Sequence, residues 1–587
     1  MWSVAWLLLG AITSVASQDT GNHPDWPRWC GKVYKPDYPS FDPGGQTLPP
    51  TPDPLAPLLH VQFKPRYSLY LESEKTGEFI VNAEISQFHG THWGNNTSNN
   101  VDFSIKTAAD DKVLVQDSIP VNSTGKLFTF NLTDLTPSLS PIQVTLTYST
   151  KGPTVNTTLL YLPSKPSGSV TRIDNLNGGL HHLNAASNHT FKPILPYGFY
   201  ASYDNFLALP NSSSVIQSYF DLGLTGMVPL THYPESASAF AYMDNINLAY
   251  MFDLRENYTN QTWVKEQVTA ASSSSSSSSS TTHNSSGGEA LFAYWSVDEP
   301  DGWQAPFSAP LETYKTILSI DPYHPVALVL NCQNYYFSRY TAGADILMAD
   351  IYPIGIRESS ANLTNSKWGT PCNGTYGDCG CDNCAGSVMD VPKRFEDVNT
   401  YEKWLGVWPK TKMLNPQAFH GEGYWAREPS PEESWAMVLL AINRGVKGVL
   451  GWVWPASEEL GKAHGRLARV VSSGGEDEDG VVVGLLVEGR GPEKVQVSTE
   501  EVKGVDAAGW VDKEEGKKML VSVVNTGEED IEGLVELEVP SGSRVGKVVW
   551  DESGGAGDGR WEVKEGKLTK NGLKGMGTAL VILELSG

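Results

Sequence analysis

Positive charge and cysteine are both scarce in this chain of 587 residues, which carries 43 lysines and arginines against 67 aspartates and glutamates, for a formal charge of -24. An acidic surface gains nothing from contact with a nucleic-acid backbone or an anionic membrane, so neither is expected as a partner. No P-loop, His-Glu-x-x-His or Ser-His-Asp elbow is present, which leaves nucleotide, zincin and serine-hydrolase chemistry without sequence support. Beyond the first residues no segment is long and apolar enough to span a bilayer. The end, Leu585-Ser-Gly587, lacks the polar spacer and hydrophobic tail of a lipid-anchor signal.

What is present points outside the cell. Val4 to Ile12 is a short apolar core followed by small residues at Ser14-Val-Ala-Ser17. That is the pattern of a secretory signal over residues 1–17, although no lysine or arginine precedes it. Twelve Asn-x-Ser/Thr sequons, from Asn95 to Asn373, all fall before residue 376, and used sequons lie on surface loops. The six cysteines are Cys30, Cys332, Cys372, Cys379, Cys381 and Cys384. Four of them cluster with a spacing that zinc could use. In an oxidising compartment an even count more often means disulfides. No metal and no cofactor are expected, and the pairing stays open.

The hydrophobic period divides the chain. Residues 18–59 include eight prolines between Pro36 and Pro57 and read as an extended tether. Over residues 60–175 the period is two: Phe79, Val81, Ala83 and Ile85, then Phe128, Phe130 and Leu132, then Ile142, Val144, Leu146 and Tyr148. Half-buried strands of this kind predict an antiparallel β-sandwich. Residues 176–471 alternate strand-like and helical patterns. The strand-like runs are 194–203, 226–233, 246–253, 291–297, 326–331, 346–352, 412–419 and 446–454. Eight strands with intervening helices predict an α/β fold of the (β/α)8 barrel type. A doubly wound sheet is the competitor, but no Gly-x-Gly-x-x-Gly follows the first strand. Nine consecutive serines, Ser272–Ser280, open an insertion over 272–288 that cannot bury apolar area. Ser430-Pro-Glu-Glu433 is a capping box at a helix start. After an acidic, glycine-rich boundary, residues 472–587 return to period two and predict a second β-sandwich.

In such a barrel the C-terminal strand ends carry the chemistry. Ala290-Leu-Phe-Ala-Tyr-Trp-Ser-Val-Asp-Glu-Pro300 begins as a buried strand and ends in two carboxylates, Asp298 and Glu299. Other tips bring Tyr200 and Tyr203, His232, Asp253 and Arg255, Asn331, Asp350 and Tyr352, Gln417 with Glu422 and Trp425 beyond it, and Trp452 with Trp454. Carboxylates ringed by aromatics suit glycoside hydrolysis, since sugar faces stack on rings while one carboxyl donates a proton and another attacks or activates water. Packing is the alternative for the tryptophans, and pairing with Arg255 is the alternative for Asp253 and Asp350.

Trp295-Ser-Val-Asp-Glu-Pro300, Asp350-Ile-Tyr-Pro353 and Gly448-Val-Leu-Gly-Trp-Val-Trp454 resemble clan A glycoside hydrolases, and more closely secreted fungal members of that kind, over residues 190–470. The resemblance implies Glu299 as acid/base, a carbohydrate substrate and a retaining mechanism. It also shows two departures. Asp298 stands where the family has Asn, and an ionised Asp cannot donate to a substrate hydroxyl. Gln417 stands where the nucleophilic Glu is expected, leaving Glu422 and Asp350 as candidates. Asp298, Tyr200, Tyr203, Asn331, Tyr352, Gln417, Trp425, Trp452 and Trp454 are the expected substrate contacts. An inactive carbohydrate-binding barrel is the rival function, kept open by Gln417.

Overall fold

The computed structural model describes residues 28–29, 32–33 and 45–586, apart from 94–98, 149–153, 166, 273–287, 303–304, 332–333, 357–383, 420–424, 473–479, 499–502, 514–515 and 555–558. The serine run after Ser272 and Glu422 therefore lie outside the described residues, as do Cys30, Cys332, Cys372, Cys379 and Cys381. Cys384 is in a disulfide.

Eight parallel strands close into a barrel. They are β1 (Tyr197–Ala201), β2 (Gly226–Pro229), β3 (Ala249–Asp253), β4 (Leu291–Val297), β5 (Val326–Leu330), β6 (Ile346–Ile351), β7 (Thr411–Pro416) and β8 (Val449–Trp454). Each of the eight strands falls on one of the expected runs, β7 starting one residue early at Thr411 and β4 matching its run, and the others are shorter. From Ala293 onward β4 alternates: Ala293 and Trp295 enter the barrel interior with Val329, Met348, Met413 and Leu450. Tyr294 between them faces outward against the helices, and the register shift opposite Leu291–Ala293 breaks the alternation before it. The capping box at Ser430 is formed: its hydroxyl accepts from Glu433 N, and the Glu433 carboxylate accepts from Ser430 N. The helix that follows, Pro431–Ile442, is buried from Ser434 onward.

The N-terminal unit is two four-stranded sheets packed face to face, and Phe79, Val81, Ala83, Val144, Leu146 and Tyr148 meet between them as their alternation requires. A further three-stranded sheet, Val170–Asp174, Gly179–Leu183 and Lys192–Ile194, plugs the base of the barrel, because Ile173 and Leu180 join the interior cluster. The expected boundary at 175/176 falls in the turn of its first hairpin. Hairpin pairing between Asp174 and Gly179 ties that turn to both sides.

The C-terminal unit consists of a five-stranded and a three-stranded sheet. Ahead of it stands a helix, Val481–Glu488, where a return to strands was expected. Its residues Val482, Val483, Leu485, Leu486 and Val487 are all buried, so an unbroken apolar run satisfied contacts on every side.

The proline-rich segment is docked where it is described. Thr47 N donates to Asn334 Oδ1 at 2.7 Å, Asn334 Nδ2 donates to Thr47 O at 2.9 Å, and Tyr336 N donates to Gly45 O at 3.1 Å. Residues 45–57 thus run from the sandwich to the loop after β5, just beyond Asn331. Ser430→Ala removes the cap from the Pro431–Ile442 helix and should cost about 1 kcal/mol. The check is the urea midpoint of tryptophan fluorescence. An unshifted midpoint would mean the cap contributes nothing.

Candidate active site

Neighbouring residues on an ideal strand face opposite ways, so Asp298 and Glu299 need a departure from ideality to act together. The structure contains two such departures. The β4–β5 register shifts between Trp295 and Val297. Glu299 then adopts a left-handed φ of 42°, a conformation unfavourable for a residue with a Cβ. Its N–H donates to Val329 O at 3.1 Å, which holds the turn against β5.

From there the Glu299 carboxyl meets two partners. Asn331 Nδ2 donates to Glu299 Oε1 at 2.7 Å. Asp350, at the end of β6, is the carboxyl that Glu299 faces across β5, and each acts on the other's proton affinity. Two buried carboxyls that interact so strongly resist both being ionised. Burial is the largest force raising the Glu299 pKa far above the ordinary range, with the charges of Asp298 and Asp350 next. Burial also raises Asp350, but Asn415, which hydrogen-bonds its charged form, and the nearby Glu299 and Tyr352 restrain the rise. The proton accordingly resides on Glu299, beside an ionised Asp350.

Asn415 on β7 fixes this polarity. Its Nδ2 donates to Asp350 Oδ1 at 2.7 Å and to Tyr200 Oη at 3.0 Å. It is wholly buried, and its Oδ1 has no partner. An amide held nitrogen-first toward Asp350 favours the carboxylate form there. Sequence reasoning passed over Asn415, although alternation with Met413, an interior residue, places it inward.

A second carboxylate pair lies beside the first. Arg255 Nε donates to Asp253 Oδ2 at 3.1 Å, and Arg255 Nη1 stands 3.9 Å from Asp298 Oδ2. Burial pushes Asp253 up to about 6 in spite of the arginine. Burial, and secondarily Asp350, also raise Asp298. The Arg255 guanidinium lies 5.0 Å from the centre of the Trp295 ring. Of the two ion pairs considered for Arg255, the one with Asp253 forms, whereas Asp350 turns to Glu299 and Asn415. Asp301, not singled out in the sequence, is buried, and its Oδ1 accepts from Asn331 N at 3.2 Å.

The aromatic candidates divide. Tyr200 is buried under the dyad, 4.8 Å from Trp295 and 5.4 Å from Trp452 between ring centres. Tyr352 lies beside Asp350 and helps to restrain its pKa, and its ring meets Phe419 and Trp425 at 5.2 and 6.1 Å. Trp425 is anchored by its Nε1 donating to Tyr352 O at 2.9 Å. Tyr203 and Trp454 are not brought to this cluster. Tyr203 packs on the outer core, and Trp454 lies 5.0 Å from Tyr219 and 5.4 Å from Phe199, on the helix side of the wall.

Gln417 is also corrected. It is wholly buried, its Oε1 accepts from Ile354 N at 3.0 Å, and its Nε2 donates to Ile354 O at 3.1 Å. The amide where a nucleophile was expected clamps the loop after β6, with both its ends taken by backbone groups.

A second constellation has the connectivity of a hydrolase triad: Ser169 Oγ to His324 Nε2 at 3.1 Å, and His324 Nδ1 to Asp321 Oδ2 at 2.8 Å. Ser169 is wholly buried, and its hydroxyl also meets the carbonyls of Gly288 and Leu291. A hydroxyl engaged by carbonyl oxygens without access to solvent is no nucleophile. The group pins the base of the barrel.

No family model matches the chain, and no curated protein matches it. Among solved structures it is similar to the β-glucuronidase from Ruminococcus gnavus in complex with D-glucuronic acid, at 11% identity and a TM-score of 0.32, covering 67% of this chain and 60% of that one. It is similar to the α-L-arabinofuranosidase from Thermotoga maritima at 13% identity and a TM-score of 0.40, covering 67% and 96%. It is also similar to β-glucuronidase 3 from Bacteroides uniformis at 10% identity and a TM-score of 0.30, covering 90% and 74%. The chain thus spans less than two thirds of the Ruminococcus gnavus enzyme. At these scores the barrel rests on this chain's own strand pairing.

Replacing Gln417 with Glu should lower stability by roughly 1–3 kcal/mol, because an acceptor would face the carbonyls of Ile354 and Phe419. Turnover should not rise. A denaturant midpoint equal to wild type, together with increased activity, would place residue 417 in the cleft instead.

Proposed function

We propose that the protein is a secreted glycoside hydrolase acting on an extracellular or cell-wall polysaccharide or glycoconjugate, with Glu299 as proton donor and Asp350 as the second carboxylate. The observation that carries this reading is the pair of buried carboxyls Glu299 and Asp350 at the C-terminal barrel mouth, each held by an asparagine amide and set among Tyr200, Tyr352, Trp425 and Trp452. The apolar leader and the sequons support secretion. Glu299 is preferred as the acid because a proton donor at neutral pH needs a raised pKa.

A retaining pair needs ~5–5.5 Å between its carboxyls and an inverting pair ~6.5–9.5 Å; retention, which needs the smaller opening, is the route taken here. In that route an Asp350 oxygen attacks the anomeric carbon as the bond to the leaving oxygen breaks, and Glu299 delivers its proton to that oxygen. Water then attacks the glycosyl–Asp350 ester, Glu299 takes the water's proton, and the Asp350 carboxylate departs. Asp350 at the end of β6 supplies what Gln417 lacks, so the amide at 417 no longer favours an inactive binding protein.

Nitrophenyl glycosides and plant or fungal polysaccharides provide the first screen. On a substrate the wild type cleaves, Glu299→Gln should reduce kcat by about 10²–10⁴-fold. It should retain most activity on a dinitrophenyl glycoside, whose leaving group needs no proton. Asp350→Asn should fail on both. If Glu299→Gln is equally impaired on both substrates, Glu299 is not the acid.

The pH profile tests the polarity of the pair. Asp350 must be ionised and Glu299 protonated, so activity should rise with pH through a limb above the ordinary aspartate range and fall only in the alkaline range. Those limbs belong to the coupled pair. Asn415→Leu removes the donor that favours the Asp350 charge, and its acidic limb should move upward by about one unit. An unmoved limb would mean Asn415 only fills space.

A further inference from the structure

At the opposite end of the barrel, a cavity of about 280 Å³ lies between the N-terminal sandwich and the starts of β5, β6 and β7. Lys64, Tyr67, Tyr314, His324, Asp345 and Lys410 are among its lining residues. Lys64 comes from the sandwich strand Leu58–Pro65, Tyr314 from the helix Ala309–Leu318, and Asp345 and Lys410 from the turns entering β6 and β7.

The charges in this wall do not balance. Asp345 accepts from Tyr314 Oη at 2.9 Å and from Val326 N at 3.0 Å. Lys410 Nζ donates to the Ala344 carbonyl. Lys412 Nζ donates to Glu402 Oε2 at 2.7 Å, and Glu402 Oε1 accepts from Lys410 N at 3.0 Å. His324 is held between Asp321 and Ser169. Tyr67, beneath the Arg172 guanidinium at 3.6 Å, and Tyr314 add neutral phenols. Of the charged residues that line the cavity, two are lysines, Lys64 and Lys410, and one is a carboxylate, Asp345. The Lys64 ammonium has no hydrogen-bond or salt-bridge partner among the described residues. Lys64 is part-exposed, and an ammonium without a protein partner on the wall of a partly open cavity is a ready site for a counter-ion.

We propose that this cavity is a binding site for a small oxyanion, a carboxylate or phosphate, held by the amines of Lys64 and Lys410 and bridging the sandwich to the barrel base. The volume lies just below the range of small-molecule pockets, which extend upward from ~300 Å³, and so limits the ligand to about one sugar acid or one phosphate group. Burial lowers Lys64 to about 8, and it lowers Lys410 as well. The Lys64 amine is charged below that value and loses its proton above it, and burial favours loss at Lys410 in the same direction, so the anion should bind in neutral and mildly acidic solution and leave as pH rises.

The test is calorimetry on the full chain at equal ionic strength in chloride, inorganic phosphate or gluconate. At about pH 6.5 phosphate or gluconate should give a saturating rise in Tm of a few degrees, as a ligand bound only by the folded state must. The rise should vanish at about pH 10, where the lysines are neutral. Lys64→Met should abolish it, and Lys64→Arg should keep it. A response to phosphate alone identifies a phosphate site, and a response to gluconate identifies a carboxylate site. A rise that does not saturate, or one equal in wild type and Lys64→Met, is a general salt effect and overturns the proposal.

Discussion

Everything at the mouth of this barrel depends on carboxyl groups being held out of water with too few cations to balance them. Asp253, Asp298, Glu299 and Asp350 crowd one end of the strand cylinder, and Arg255 is engaged with only the first two. Burial therefore raises the pKa of all four. Because those folded values lie above the unfolded ones, the protonated forms favour folding, and the associated stability is lost as pH climbs from the unfolded to the folded values. The site works against the fold near neutrality. The barrel tolerates this because its interior cluster and its outer helix packing are both continuous. A carboxyl pair sharing one proton is the least costly arrangement of such charges, and it is also the arrangement that general acid catalysis requires.

The backbone shows how the arrangement is assembled. A regular β4 would have sent Asp298 and Glu299 to opposite sides of the wall. The register shift after Trp295 and the left-handed turn at Glu299 instead direct one carboxyl toward Arg255 and the other toward Asp350. Asn331 and Asn415 then approach the pair from β5 and β7 with N–H groups. One amide steadies the acid, and the other steadies the carboxylate. Gln417, two residues beyond Asn415, has the same chemistry but spends it on the Ile354 backbone, so one strand divides its two amides between site and scaffold.

The barrel was legible because period and composition are local properties. All eight strand runs, the capping box at Ser430 and the position of Glu299 follow from residues a few places apart. The segment Val481–Glu488 was not legible, since an apolar run of that length suits a strand or a buried helix equally. At the site, chemistry was legible and partnership was not. Asp350 was a candidate, but only the closed barrel places it opposite Glu299 across the one intervening strand, β5. The direction in which Trp454 and Tyr203 face depends on where each strand stops, and boundaries are what periodicity fixes least well. Asn415 was overlooked because an amide carries little signal until a carboxylate is found opposite it.

The central claim is that one proton is shared between Glu299 and Asp350 and resides on Glu299 at neutral pH. Infrared difference spectroscopy in heavy water reads it directly, by subtracting the spectrum of Glu299→Gln from that of the wild type across a pH series. The account predicts a protonated-carboxyl C=O stretch in the neutral wild type that the substitution removes and that persists into the alkaline range. If the neutral difference spectrum contains only ionised carboxylate bands, the two groups hold no proton between them and the account is wrong.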